Sequence, residues 1–248
     1  MHRQGFFAAE VPRVIRLLRR GGKEIAAKLC GVYTHFASAK DVNYPTYTEV
    51  QFEKFLRAVR ELRQEGYLKN AVLHAAATGA TLLKKKYHLG AVRIGIGLYG
   101  IYPSRELELQ MGDQIGLRPV LRWKALISEV KNLPRGAFVG YDLVERVAAP
   151  TRAAVIPIGY WHGLPRLLSS RGTVLVRGKR ARILGRVSMD LIVVDVSGIP
   201  CKQGDEVVLI GKSGNATQEA TLLAAQADTI PYEILTRINP LIKRVLVP

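Results

Sequence analysis

Residues 153–195, AAVIPIGYWHGLPRLLSSRGTVLVRGKRARILGRVSMDLIVVD, decide the architecture of the second half of the chain. The stretch alternates β-rich runs with glycine turns, which is the pattern of short strands rather than of helix. Polar or special residues interrupt its apolar runs at Tyr160 in IPIGY, at Arg186 in GRV, and at Met189-Asp190. Sheet pairing requires none of them. Placed at strand ends, they point to a site on the rim of a β structure, and Val139-Gly140-Tyr141 just upstream adds another tyrosine of that kind.

On either side of this stretch the same texture continues. Strands are expected over 121–130, 153–158, 173–176, 181–186, 191–196 and 206–210, with turns at 133–136, 177–179 and 203–205. Closely spaced short strands predict a compact β-barrel-like domain over 117–248. Helices at 217–227 and 232–238 follow, the latter opening on Pro231, and a last strand is expected at 244–247.

The first half has a different period. A helix over 8–20 has Val11, Val14, Ile15, Leu17 and Leu18 at helical spacing on one buried face and stops at Gly21-Gly22. A strand over 29–33 places His35 at its end. Thr46 or Thr48 caps a second helix whose apolar face is Phe52, Phe55, Leu56, Val59 and Leu62, with Gly66 as its stop. A strand at 71–73 ends at His74, a helix covers 79–86, and a strand beginning at Ala91 carries Arg93. Strands alternating with helices imply parallel pairing, so residues 1–108 read as part of a (β/α)8 barrel of the TIM type, α/β followed by all-β. His35, His74 and Arg93 then share the C-terminal face, where such barrels gather their chemistry. A complete barrel takes about 250 residues, and only the equivalent of about three βα units precedes the change of texture near Gly116, so barrel units are expected from outside this stretch of sequence.

Composition sets the outer bounds. The 248 residues carry a formal charge of +17 and are 48% hydrophobic, enough apolar surface for two cores. No apolar run approaches the roughly 18 residues of a membrane-spanning helix, and Met1-His2-Arg3-Gln4-Gly5 opens no signal-type segment, so a cytoplasmic chain without membrane partners is expected. Cys30 and Cys201 have no metal-ligand spacing, and neither a metal nor a disulfide is expected. The cations lie in dispersed groups, Arg13 to Lys23, Lys84 to Lys86 and Arg177 to Arg182, each beside a helix end or a turn. That dispersion argues for solvated faces and against a nucleic-acid partner.

Seven motifs, in order, carry a resemblance: MHRQGF at 1–6, GVYTHFASA at 31–39, VRIGIGLYG at 92–100, VGY at 139–141, IPIGYWHG at 156–163, GRVSMD at 185–190 and TIPYEILTRI at 229–238. Together they resemble the alanine racemases, pyridoxal-phosphate enzymes that interconvert L- and D-alanine and supply D-alanine for peptidoglycan. The resemblance implies a (β/α)8 barrel followed by a mostly β domain, and a homodimer with shared active sites. It implies that Tyr141 is the catalytic tyrosine, a proton-transfer group on one face of the cofactor-bound substrate. A free tyrosine has a pKa near about 10 and needs assistance as a base; His35 and Arg93 would supply it. Arg93 would also face the pyridine nitrogen. Thr78, with the amides of Gly95 and Ile96, would hold the phosphate, and His74 would lie near the cofactor ring. Arg3 and the backbone of Met189 would take the substrate carboxylate, with Tyr160 lining the substrate entry from the partner subunit.

The departures from the family pattern are specific. The cofactor-binding lysine motif, of the Lys-Ala-Asn-Ala-Tyr-Gly-His-Gly type, occurs nowhere in these residues, so this stretch by itself is expected to be inactive, as an N-terminally truncated racemase. The alternative is a non-catalytic remnant or basic binding module of the same fold. Thr78 stands where serine is usual, Asp142 where glycine is, Trp161-His162 where Ala-Asp is, and Leu246 where a tyrosine is.

Overall fold

A computed structural model describes residues 1–39 and 45–247. The chain divides into two compact units, Met1–Val120 and Leu121–Pro248.

In the first unit, helix α1 spans Val11–Ala27 and buries Val11 and Leu18. Its glycine pair does not end it: Gly22, at φ 67°, kinks the helix, which then resumes. Strand β1 (Gly31–Tyr33) is followed by α2 (Pro45–Gln64). Because α2 opens on Pro45, Thr48 lies within the helix, buried, rather than at its cap. Phe52, Phe55, Val59 and Leu62 recur at helical spacing and are all buried. Strand β2 (Val72–Ala77) runs into α3 (Thr78–Leu83), and β3 (Ala91–Arg93) and α4 (Arg105–Met111) follow.

The strands form a three-stranded parallel sheet in the order β1-β2-β3, with Tyr33 opposite His74 and Ala77 opposite Arg93. No closed barrel is present among the described residues. His74 is an internal residue of β2, not its end. Alanine favours helix, so Ala75-Ala76-Ala77 gives little strand signal, yet two of these side chains are fully buried in the sheet. The core is closed by Phe36, Phe52 and Tyr87, which meet edge to face with ring centroids 5.1–6.1 Å apart. Each such pair contributes about 0.5–1.5 kcal/mol beyond its buried area.

The second unit is antiparallel. Its strands are β4 (Trp123–Leu126), β5 (Glu129–Leu133), β6 (Phe138–Val139), β7 (Glu145–Arg146), β8 (Thr151–Ile156), β9 (Thr173–Val176), β10 (Lys179–Leu184), β11 (Ile192–Asp195), β12 (Glu206–Ser213) and β13 (Ala216–Gln218), followed by α5 (Ala220–Gln226) and α6 (Pro231–Arg237). An eight-stranded sheet runs β13-β12-β9-β10-β11-β8-β5, with β4 also paired to β12, while β6 and β7 form a separate hairpin. The β9–β10 turn puts Arg177 and Gly178 at φ 46° and 76°, the two positive values that a tight hairpin twisted with its strands requires. Val174, Leu175, Val176, Val207, Val208 and Leu209 have no exposed surface and form the centre of the core. The strand expected at 244–247 is not formed; Val245, Leu246 and Val247 are exposed, because β-branched composition without a pairing partner does not make a strand.

Among the charged groups, Arg13 pairs with Glu10, Arg19 with Glu65, Lys84 and Lys86 with Glu49, Arg177 with Asp205, and Arg182 with Glu145. No helix among the described residues is long and apolar enough to cross a membrane. Cys30 is exposed and Cys201 buried, both as free thiols.

Candidate active site

The first unit assembles a cluster around Arg93. Parallel pairing sets β1, β2 and β3 side by side, which brings Tyr33, His74 and Arg93 onto neighbouring strands, with His35 two residues beyond β1. Arg93 Nη1 donates to His74 Nδ1 at 2.6 Å and Nη2 to His35 Nδ1 at 3.3 Å. Nη2 also donates to the carbonyls of Thr34 at 2.9 Å and Ala75 at 3.1 Å. The guanidinium carbon lies 5.2 Å from the centre of the Tyr33 ring, and Tyr33 stacks on His74 at 5.2 Å.

The protonation of the cluster follows from these contacts. A guanidinium offers only donors, so an imidazole nitrogen facing it must accept, and each histidine then carries its proton on Nε2. Burial, then the charge of Arg93, hold the His74 imidazole below its ordinary range. Burial, then Arg93 and Arg3, do the same to His35. Burial also draws Arg93 down, opposed by Tyr33. The result is a fixed cation flanked by two neutral imidazoles, each with an N–H free to donate. Exposed Arg3 contributes positive potential at His35.

Thr78 opens α3 directly after β2 and is 4% exposed. Its hydroxyl accepts from the amides of Gly95 at 3.1 Å and Gly97 at 3.4 Å. The amides that meet on this hydroxyl are those of Gly95 and Gly97, while Ile96, between them, has a buried side chain. Because it accepts both amides, the Thr78 hydroxyl keeps its own O–H to donate at the C-terminal end of β2, a donor suited to phosphate, and Arg93 is a fixed cation suited to face a pyridine nitrogen. The residues therefore fit pyridoxal phosphate.

The second unit assembles Tyr160 and Met189. The Tyr160 amide donates to the Ser188 carbonyl at 3.0 Å, and the Trp161 amide to the Met189 carbonyl at 3.0 Å. Gly159 makes this approach possible: a Cβ there would lie 2.2 Å from the Ser188 oxygen and 2.3 Å from the Met189 oxygen. His162 Nδ1 accepts from the Gly159 amide at 3.1 Å, closing the turn that holds Tyr160. A cavity of about 500 Å³ is lined by Tyr160, Leu164, Arg166 and Arg237 among others, a size suited to a small molecule. Tyr141 stands on the loop between β6 and β7 and is 67% exposed.

The structure thus brings together His35, His74 and Arg93, and separately Thr78 with Gly95, and Tyr160 with Met189. Tyr141 belongs to the second unit and the Arg93 cluster to the first. Sequence reasoning missed Tyr33 and Gly97. Tyr33 was detectable in principle, being one residue before the Thr-His pair at a strand end. The selection of Gly97 depends on loop geometry that no spacing encodes.

Two family models cover most of the chain: the N-terminal domain of alanine racemase matches residues 1–103 and the C-terminal domain matches residues 120–246. An alanine racemase of Leptospira interrogans is 38% identical over 230 residues, which are 91% of this chain and 59% of that protein. The chain therefore spans less than two thirds of that relative's length. The crystal structure of alanine racemase from D-cycloserine-producing Streptomyces lavendulae matches with a TM-score of 0.90 at 34% identity, covering 100% of this chain and 64% of that one. That of Bartonella henselae, described with covalently bound pyridoxal phosphate, matches with a TM-score of 0.82 at 28% identity over 100% of this chain and 64% of that one.

Proposed function

The chain belongs to the alanine racemase family, and from that premise we propose that it forms the catalytic β domain and the C-terminal barrel units of a racemase that interconverts L- and D-alanine, supplying D-alanine for peptidoglycan. The observation that carries the proposal is the Arg93 cluster: burial and one guanidinium hold two imidazoles neutral, the guanidinium fixes their tautomer, and the Thr78 hydroxyl directly follows the strand paired with that of Arg93.

Pyridoxal phosphate, when bound, withdraws electrons from the substrate's α-carbon and so makes its proton removable. Thr78, with the backbone amides of Gly95 and Ile96, would hold its phosphate, and His74 would lie near its ring. Arg93 would face the pyridine nitrogen and, since it does not surrender a proton, would limit electron withdrawal and with it side reactions. Tyr141 moves the proton on one face, and His35, donating through Nε2, stabilises its deprotonated form. Arg3 and the Met189 backbone orient the substrate carboxylate, and Tyr160 lines the entry. Tyr141, Met189 and Tyr160 serve the partner subunit's site in a homodimer, and the enzyme works in the cytoplasm.

The family's lysine motif is not among these 248 residues, so the second proton-transfer group and the covalent anchor of the cofactor come from polypeptide joined or added to them. The purified 248-residue chain is expected to form no borohydride-reducible lysine adduct at this site and to racemise no alanine. Co-expression with a polypeptide carrying the first barrel units is expected to restore both, and Tyr141→Phe then to cost about 10²–10⁴-fold in turnover. Failure to obtain a soluble, active complex would favour the second reading, a non-catalytic binding module of the same fold.

A further inference from the structure

We propose that Asp142, through its ion pair with Arg186, is a positioning residue that fixes the turn presenting Tyr141; its importance for turnover rests on the proposed role of Tyr141, its importance for the turn does not. The turn joins β6 to β7, whose register places Val139 opposite Glu145. Directly after Tyr141, Asp142 and Leu143 have φ of 62° and 52°. Two consecutive side-chain-bearing residues in the left-handed region are disfavoured, and they persist only where their surroundings impose the conformation.

Two latches impose it. At the base, Glu145 receives both arms of Arg182, at 2.8 and 3.2 Å, and the Gly185 amide at 3.4 Å. Gly185 is pressed so close to the hairpin that a Cβ on it would stand 2.3 Å from the Val139 oxygen. At the tip, Asp142 Oδ2 lies 3.2 Å from Arg186 Nε, in the residue that follows Gly185. That Nε is buried and makes no hydrogen bond among the described residues, and the Asp142 carboxylate faces it across the ion pair.

Tyr141 needs the turn to be held, because its ring is two-thirds exposed and packing does not fix it. Glycine, the residue the family pattern leads one to expect at 142, would adopt φ 62° without strain but would leave Arg186 uncompensated and the tip unlatched. Aspartate tolerates the left-handed conformation better than most side chains and adds the latch.

The test uses the full 248-residue chain, with amide hydrogen exchange across 140–144 and ¹³C-tyrosine ring spectra, the Tyr141 resonance being assigned by its loss in Tyr141→Phe. In Asp142→Asn, exchange at these amides is expected to rise up to about fivefold, the upper range of what a surface ion pair holds, and the Tyr141 signal to move toward that of free tyrosine. Arg186→Leu should reproduce both changes, and Asp142→Glu, which keeps the carboxylate but not aspartate's tolerance of the left-handed region, should recover the wild-type spectrum in part. Added salt should loosen the wild-type turn and leave Asp142→Asn unaffected. An unchanged turn in Asp142→Asn overturns the proposal, as does a uniform rise in exchange through β9, β10 and β11, which would make Asp142 a general structural residue. Full turnover of Tyr141→Phe in the complemented enzyme would remove the catalytic role of Tyr141 while leaving the latch intact.

Discussion

Arg93 Nη1 stands 2.6 Å from His74 Nδ1, and the same guanidinium reaches His35 from its other arm. One always-charged group thereby fixes the tautomer of two titratable ones, because each imidazole must present a lone pair to it, and it adds to burial in keeping both neutral. The geometry depends on a planar fork, which lysine lacks.

Arg93→Lys is therefore expected to lose at least one of the two histidine contacts and the bonds to the Thr34 and Ala75 carbonyls. The expected cost is on the order of 1–3 kcal/mol in the first unit. Urea unfolding of the full chain, followed by exchange protection of β2 and β3, measures it.

The same contacts predict a pH dependence with a definite sign. His35 and His74 titrate below the ordinary histidine value of 6.5 in the folded chain, so the unfolded chain binds protons first as the pH falls. Their contribution to stability is present above about pH 6.5 and is lost as the pH falls through the window beneath it. Unfolding midpoints measured between neutral and mildly acidic pH should fall accordingly, and the slope should shrink in the His74→Gln variant.

Glu49 gives a second, lower window. Lys86 first, then Tyr87 and Lys84, hold its carboxyl at about 2, against 4.5 for an ordinary glutamate. Its contribution is complete above about pH 4.5 and is lost as the pH falls toward 2. Glu49→Gln removes the charge facing both lysines and the Tyr87 hydroxyl, which it accepts at 2.7 Å. A loss on the order of 1–3 kcal/mol is expected at neutral pH, and a flattened stability profile below pH 4.5 identifies the cause.

Gly159→Ala tests the rim of the second unit. Its Cβ would overlap two carbonyl oxygens that accept from Tyr160 and Trp161. Displacing that backbone should cost about 1–3 kcal/mol and loosen Tyr160, read as faster amide exchange at residues 159–162 with β9 and β12 unaffected. Wild-type exchange in the variant would show that the 188–189 segment can retreat.

Much of the fold was legible because periodicity reports burial. Phe52, Phe55, Val59 and Leu62 repeat every three or four residues because one helix face is buried, and Val174, Leu175 and Val176 of β9 form an apolar run because that strand is paired on both sides. Legibility failed where local preference and tertiary context disagree. The alanines of β2 favour helix in isolation, which placed the strand end too early and His74 at a terminus. Gly21-Gly22 read as a stop, whereas the chain kinks and continues. The segment 244–247 has strand composition and no partner.

The sequence by itself determined the two textures and the order of the motifs, since residue type and spacing are local properties, and the resemblance those motifs carry named Tyr141, His35, Arg93, Thr78 and Tyr160 as candidate groups. The tertiary structure alone decided how those groups act on one another. Parallel pairing of β1, β2 and β3 set one guanidinium against two imidazoles 19 and 58 residues away in the chain, and the approach of Gly185 to the β6–β7 hairpin set Arg186 against Asp142. Such contacts depend on which surfaces pack together, and charge and protonation follow from distance in space rather than from separation along the chain.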